Sequence, residues 1–65
     1  MRHKRMKSTD MCQLRKAIYE HDENSTPETA EIVAIQKGYC IEKYGRKQTQ
    51  ATISAALRVL SNGTN

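Results

Sequence analysis

Four side chains able to ligate a metal or act as nucleophiles stand out in the 65-residue chain: His3, Cys12, His21 and Cys40. Their separations include none of the short paired spacings with which one loop wraps a tetrahedral zinc ion. Cys12 follows a basic segment at the start of an expected helix, a setting that lowers a thiol pKa. No neighbouring base or oxyanion donor accompanies it. No glycine-rich loop is present to cradle a phosphate, and Glu28 and Glu31, three residues apart, read as a solvated acidic edge. The residue types therefore lead us to expect no metal, no cofactor and no enzymatic activity.

The charged residues carry more information. Arg2, Lys4, Arg5 and Lys7, together with His3, open the chain with no acid among them. From Glu20 to Glu31 the sign reverses, with Glu20, Asp22, Glu23, Glu28 and Glu31 and no Lys or Arg. It reverses again from Lys37 to Arg58, where Lys37, Lys43, Arg46, Lys47 and Arg58 stand against Glu42 alone. With a net charge of +4, this pattern is either a solvated surface or a positive face made for a polyanion, most often nucleic acid. A membrane surface fits poorly, since no segment joins a basic face to Trp, Phe or Leu. No run approaches the ~18 apolar residues of a membrane span. The basic N-terminus leads into Ser8, Thr9 and Asp10 and not into the apolar stretch of a signal peptide, so we expect a cytoplasmic protein. In that compartment Cys12 and Cys40 should be free, partly buried thiols. Tyr19, Tyr39 and Tyr44 do not alternate with cations as the stacking residues of a single-strand binder would.

These charges must be held by a thin scaffold. Leu, Ile and Val total ten residues and Phe is absent, so the core is small and stability marginal. Three helices follow from the pattern. The first spans about Thr9 to Asp22, capped by Ser8, Thr9 or Asp10, with Met11, Leu14, Ile18 and Ala17 on one face. Thr26-Pro27-Glu28 opens the second, Thr26 capping and Pro27 in the first helical position. Ala30, Val33 and Ala34 share a face there, with Ile32 and Ile35 to its side. Gly38 is a natural stop, but two other outcomes stay open. The helix can run on to Gly45, or residues 39–44 can form a short extra helix. The third helix begins with Gln48 or Thr49 as cap, turns Ile53, Ala56, Leu57 and Leu60 inward, and stops at Asn62-Gly63. Ala51, Ala55 and Arg58 lie opposite, with Gln50 and Ser54 at the margins. Small and hydrogen-bonding residues of this kind let a helix approach another surface closely and bond to base edges or phosphates.

The stretch Gln48-Thr-Gln-Ala-Thr-Ile-Ser-Ala-Ala-Leu-Arg-Val-Leu60 resembles the recognition helix of bacterial helix-turn-helix regulators. It is most similar to the Thr-Gln-Ala-Thr-Val-Ser signature of the arginine-repressor DNA-binding domain. The preceding Thr-Ala-Glu-Ile-Val-Ala-Ile-Gln-Lys-Gly-Tyr is similar to that family's second helix. The resemblance implies that Thr49, Gln50, Thr52 and Ser54 meet DNA in the major groove. It departs from the family in the longer separation of Gly38 from Thr49 and in Ala55-Ala56, which replaces a charged Arg-Asp pair. A β-hairpin wing and arginine sensing are not expected.

The expectation is thus an all-α, three-helix helix-turn-helix domain over residues 9–63 behind a flexible basic arm, residues 1–8. It would bind double-stranded DNA as a prokaryotic or phage transcriptional regulator. The expected interface is Arg2, Lys4, Arg5, Arg46, Lys47, Thr49, Gln50, Thr52, Ser54 and Arg58. A homodimer would read two half-sites, with Tyr39, Ile41 and Tyr44 as candidate contacts. The alternative is a protein-interaction module that antagonises a partner through its acidic face.

Overall fold

A computed structural model describes residues 4–63 and consists of three helices, α1 (Ser8–Glu23), α2 (Pro27–Tyr44) and α3 (Arg46–Asn62). Each packs against the other two. None of the described helices is long and apolar enough to cross a membrane.

α1 buries Leu14, Ala17 and Ile18, with Met11 half-buried beside them, as the three- and four-residue spacing requires. Its cap differs from the expectation. Lys7, in extended conformation, precedes the helix without a side-chain cap, and Ser8, Thr9 and Asp10 form its first turn. Asp10 is thereby released from capping and turns to α2.

The turn into α2 is closed by a capping box. The Thr29 amide donates to Thr26 Oγ1 at 3.2 Å, and the Thr26 amide donates to Thr29 Oγ1 at 3.1 Å. Thr29 Oγ1 also donates to the Asn24 carbonyl at 2.7 Å and lies 2.9 Å from His21 Nδ1, so it ties the end of α1 to the start of α2. α2 then continues through Gly38 as one helix to Tyr44, and residues 39–44 are its last turns. Gly38 costs the helix ~1 kcal/mol, too little to stop a segment whose later residues Cys40 and Tyr44 are buried. Of the face read as Ala30, Val33 and Ala34, only Val33 is partly buried and both alanines are exposed; the buried side of α2 is Val33, Cys40 and Tyr44.

The reversal falls on Gly45. At φ 91° it occupies a region an L side chain rarely enters, and it connects α2 to α3 as a single residue. α3 consequently starts at Arg46, not after Gln48 or Thr49, and no side chain caps it. At its far end Gly63 donates its amide to the Val59 carbonyl at 2.8 Å, the stop expected of Asn62-Gly63.

The core is Met6, Leu14, Ile18, Cys40, Tyr44 and Ala56, with Met11, Tyr19, Val33, Ile53 and Leu60 packed against it. Tyr44, expected at a dimer contact, is only 2% exposed, and its hydroxyl donates to Asp10 Oδ2. Ile41 is half-buried and Tyr39 is exposed. Both cysteines are free; Cys40 is buried and Cys12 is exposed.

Candidate nucleic-acid interface

The outward arc of α3 follows from its inward one. Thr49, Thr52 and Ala56 are buried, and Ile53 and Leu60 pack against the core. A period of 3.6 residues then leaves Lys47, Gln50, Ser54 and Arg58 along the opposite side, and all four are exposed. Ala51, between them, is exposed and small. α3 contains no Asp or Glu in its 17 residues.

Two of the expected base-reading residues are elsewhere. Thr49 is 1% exposed and its Oγ1 donates to the Gly45 carbonyl at 2.9 Å. Thr52 is 6% exposed, donates to the Gln48 carbonyl at 3.1 Å and lies against Met6 Sδ. A threonine hydroxyl bonded to its own helix four residues back is satisfied without water, which lets it turn to the core. Leu57, expected inward, is correspondingly rotated out and is 52% exposed.

The N-terminal segment is docked against α3. Met6, inside the expected arm, is buried in the core. The Gln48 side chain holds the backbone of this segment on either side of Arg5. Met6 donates its amide to Gln48 Oε1 at 2.9 Å, and Gln48 Nε2 donates to the Lys4 carbonyl at 2.7 Å and the Tyr44 carbonyl at 3.1 Å. Lys4 and Arg5 therefore lie at the end of α3 that carries Arg46 and Lys47, and all four are exposed. A groove of about 450 Å³ runs between Arg5, Met6, Ser8 and Met11 on one side and Gln48, Ala51 and Thr52 on the other. Arg2, also expected at this interface, lies outside the described residues.

Gln48 was missed as more than a helix cap because its partner Lys4 is 44 residues away. No local spacing signals such a contact. The same holds for the group around Asp10. Lys43 Nζ lies 3.6 Å from Asp10 Oδ2, donates to Tyr39 Oη at 3.1 Å, and sits 5.4 and 5.5 Å from the ring centres of Tyr39 and Tyr44. The hydrogen bond from Tyr44, and then the Lys43 charge, hold the Asp10 carboxyl below its ordinary value, against some desolvation. That hydrogen bond to the Asp10 carboxylate, with desolvation, pushes the Tyr44 phenol up. The Lys43 ammonium is pushed up by its bond to Tyr39 and by the nearby Asp10 charge. Burial raises the Cys40 thiol.

The two ends of the bundle differ in sign. Tyr44 and Asp10 join the end of α2 to the start of α1, and Gly45 brings the start of α3 to the same end. Lys4, Arg5, Lys7, Arg46 and Lys47 are exposed there, with Glu42 as the exposed acid in that region. The α1–α2 turn at the other end exposes Glu20, Asp22, Glu23, Glu28 and Glu31. Among the described residues there is no cluster of three or more His, Cys, Asp or Glu able to hold a metal ion. Comparison with protein-family models, with curated proteins and with solved structures returns no match for this chain.

Proposed function

We propose that the protein binds double-stranded DNA, without catalysis, by laying α3 in the major groove as the second helix of a helix-turn-helix unit. The observation that carries this reading is the exposed stripe Lys47, Gln50, Ser54 and Arg58 on a helix free of acids, with Lys4 and Arg5 beside its first turn. A 17-residue helix is ~25 Å long and fits a groove ~12 Å wide. Gln50 and Ser54 supply the hydrogen-bonding groups for base edges, and the cations supply phosphate contacts that carry no sequence information. Thr49 and Thr52 are assigned no base contact. As the resemblance to bacterial regulators implies, the role is regulation of transcription in a prokaryotic or phage setting, with a dimer reading two half-sites.

The test is a fluorescence-anisotropy titration with mixed-sequence duplex DNA from ~50 to ~200 mM salt. Neutralising roughly five phosphates gives a log–log slope of about −4 to −5. Absence of binding at ~50 mM salt and high protein concentration would remove the proposal.

A second reading rests on a different surface. Ile32, Ile35 and Tyr39 are 44%, 61% and 46% exposed on the outer side of α2, beside Glu28 and Glu31. Such a face suits a protein partner with a basic rim. Charge reversal at Glu28 and Glu31 would abolish that activity and leave DNA binding intact.

A further inference from the structure

We propose that Gln48 is the positioning residue that makes the N-terminal segment and the first turn of α3 a single phosphate-binding surface; this deepens, and rests on, the DNA-binding reading. Its amide uses both N–H groups and its carbonyl oxygen on backbone atoms of Lys4, Met6 and Tyr44. Each contact is to backbone, so Gln48 fixes where the chain runs and leaves the Lys4 and Arg5 side chains free to contact a ligand. Met6, which follows them, is anchored in the core against Thr52. With both held, Lys4 and Arg5 are presented beside Arg46 and Lys47 before any ligand arrives. The conformational entropy of ordering the segment is then already spent when phosphates are met, which raises affinity without adding a contact. A glutamate at this position cannot reproduce the arrangement. Its carboxylate accepts from the Met6 amide but faces the Lys4 and Tyr44 carbonyls with no proton to donate.

The experiment uses Gln48→Met, which keeps the length and helix preference of the side chain and removes all three hydrogen bonds, with Gln48→Glu as the second variant. Circular dichroism confirms the helix content of each. Amide exchange at Met6 reads the docking directly, and anisotropy with mixed-sequence duplex DNA reads binding. Gln48→Met should exchange the Met6 amide at least tenfold faster and bind DNA about tenfold more weakly. Gln48→Glu should be weaker still, and Gln36→Met, the same chemical change on α2, should alter neither readout. Adding Lys4→Ala and Arg5→Ala should cost less affinity in the Gln48→Met background than in the parent chain. Parent-like DNA binding by a folded Gln48→Met with an unprotected Met6 amide overturns the positioning role alone. A parent chain that binds no DNA overturns it together with the reading beneath it.

Discussion

Thr49 and Thr52 separate two accounts of how α3 would meet DNA under the proposed function. The resemblance to repressor recognition helices gives both hydroxyls a place at the DNA, whereas the packing gives them carbonyls of their own helix and a place in the core. Valine has nearly the same shape and no hydroxyl, so Thr49→Val and Thr52→Val test the point with little change in packing. Each should shift stability by about 1 kcal/mol or less and leave the preferred DNA sequence unchanged. Gln50→Ala and Ser54→Ala should leave stability alone and relax preference at one or two base pairs, by ~1–3 kcal/mol for a lost bidentate contact. Selection from a random duplex library, run on all four variants, checks both statements. A changed preference in the valine variants would return the threonines to the interface.

The elements were legible where a local rule decides them and opaque where a distant contact does. Thr26-Pro27 carries its own cap and first turn, and Leu14, Ala17 and Ile18 carry their own period, so α1 and the start of α2 follow from neighbours alone. Gly38 left the end of α2 open, because its local preference for a stop competes with the burial of Cys40 and Tyr44 further along the helix, and the burial decides it. On α3 the apolar period placed Ile53, Ala56 and Leu60 inward but also Leu57, which is exposed. The resemblance set Thr49 and Thr52 outward, although the back-bond to the helix removes most of their polarity and lets them turn to the core. The exposed stripe was readable as cations, amides and small residues; its junction with the N-terminal segment was not, since it depends on one side chain reaching across the fold. Gly38 gives the element-level prediction. It lies inside α2, and a Cβ built there meets nothing within 4 Å. Gly38→Ala should therefore stabilise the protein by about 0.4–1 kcal/mol by restricting the unfolded chain. Urea denaturation would show a higher midpoint at an unchanged slope.

Asp10 couples two elements, α1 and α2, and its acid response belongs to the same scale. Its folded-state pKa lies below the ordinary 3.8 because Tyr44 donates to the carboxylate and Lys43 adds a positive charge. A depressed carboxyl contributes stability that is fully present above the unfolded pKa and is lost as pH falls through the folded one. Its contribution should hold from neutral pH down to roughly pH 4 and fade below that. Asp10→Asn, which cannot titrate, should be less stable than the parent at pH 6 and should lose that difference toward pH 2. Denaturant midpoints measured across this range check the sign. A gap between the two proteins that widened on acidification would show that Asp10 is not held in its charged form by the fold.

At the scale of the whole molecule the charges are segregated along a body 39 × 25 × 17 Å in extent. The Debye length is ~10 Å at 0.1 M salt, so charges at opposite ends of the long axis are largely screened from one another. Binding to a phosphate backbone should then follow the cations of the N-terminal segment and the α3 stripe and ignore the acids at the α1–α2 turn. Each phosphate contact adds about −0.9 to the log–log salt slope. Lys4→Ala with Arg5→Ala should make that slope shallower by roughly 2, whereas Glu20→Gln with Glu23→Gln should leave it unchanged within error. The two double variants alter net charge by equal amounts in opposite directions. If affinity followed net charge alone, the glutamine pair would tighten binding as much as the alanine pair weakens it. The decision between a placed interface and general cationic attraction therefore rests on the glutamine pair: an unchanged slope locates the contact on the cations of α3 and the N-terminal segment, and a steeper one dissolves it into the charge of the whole chain.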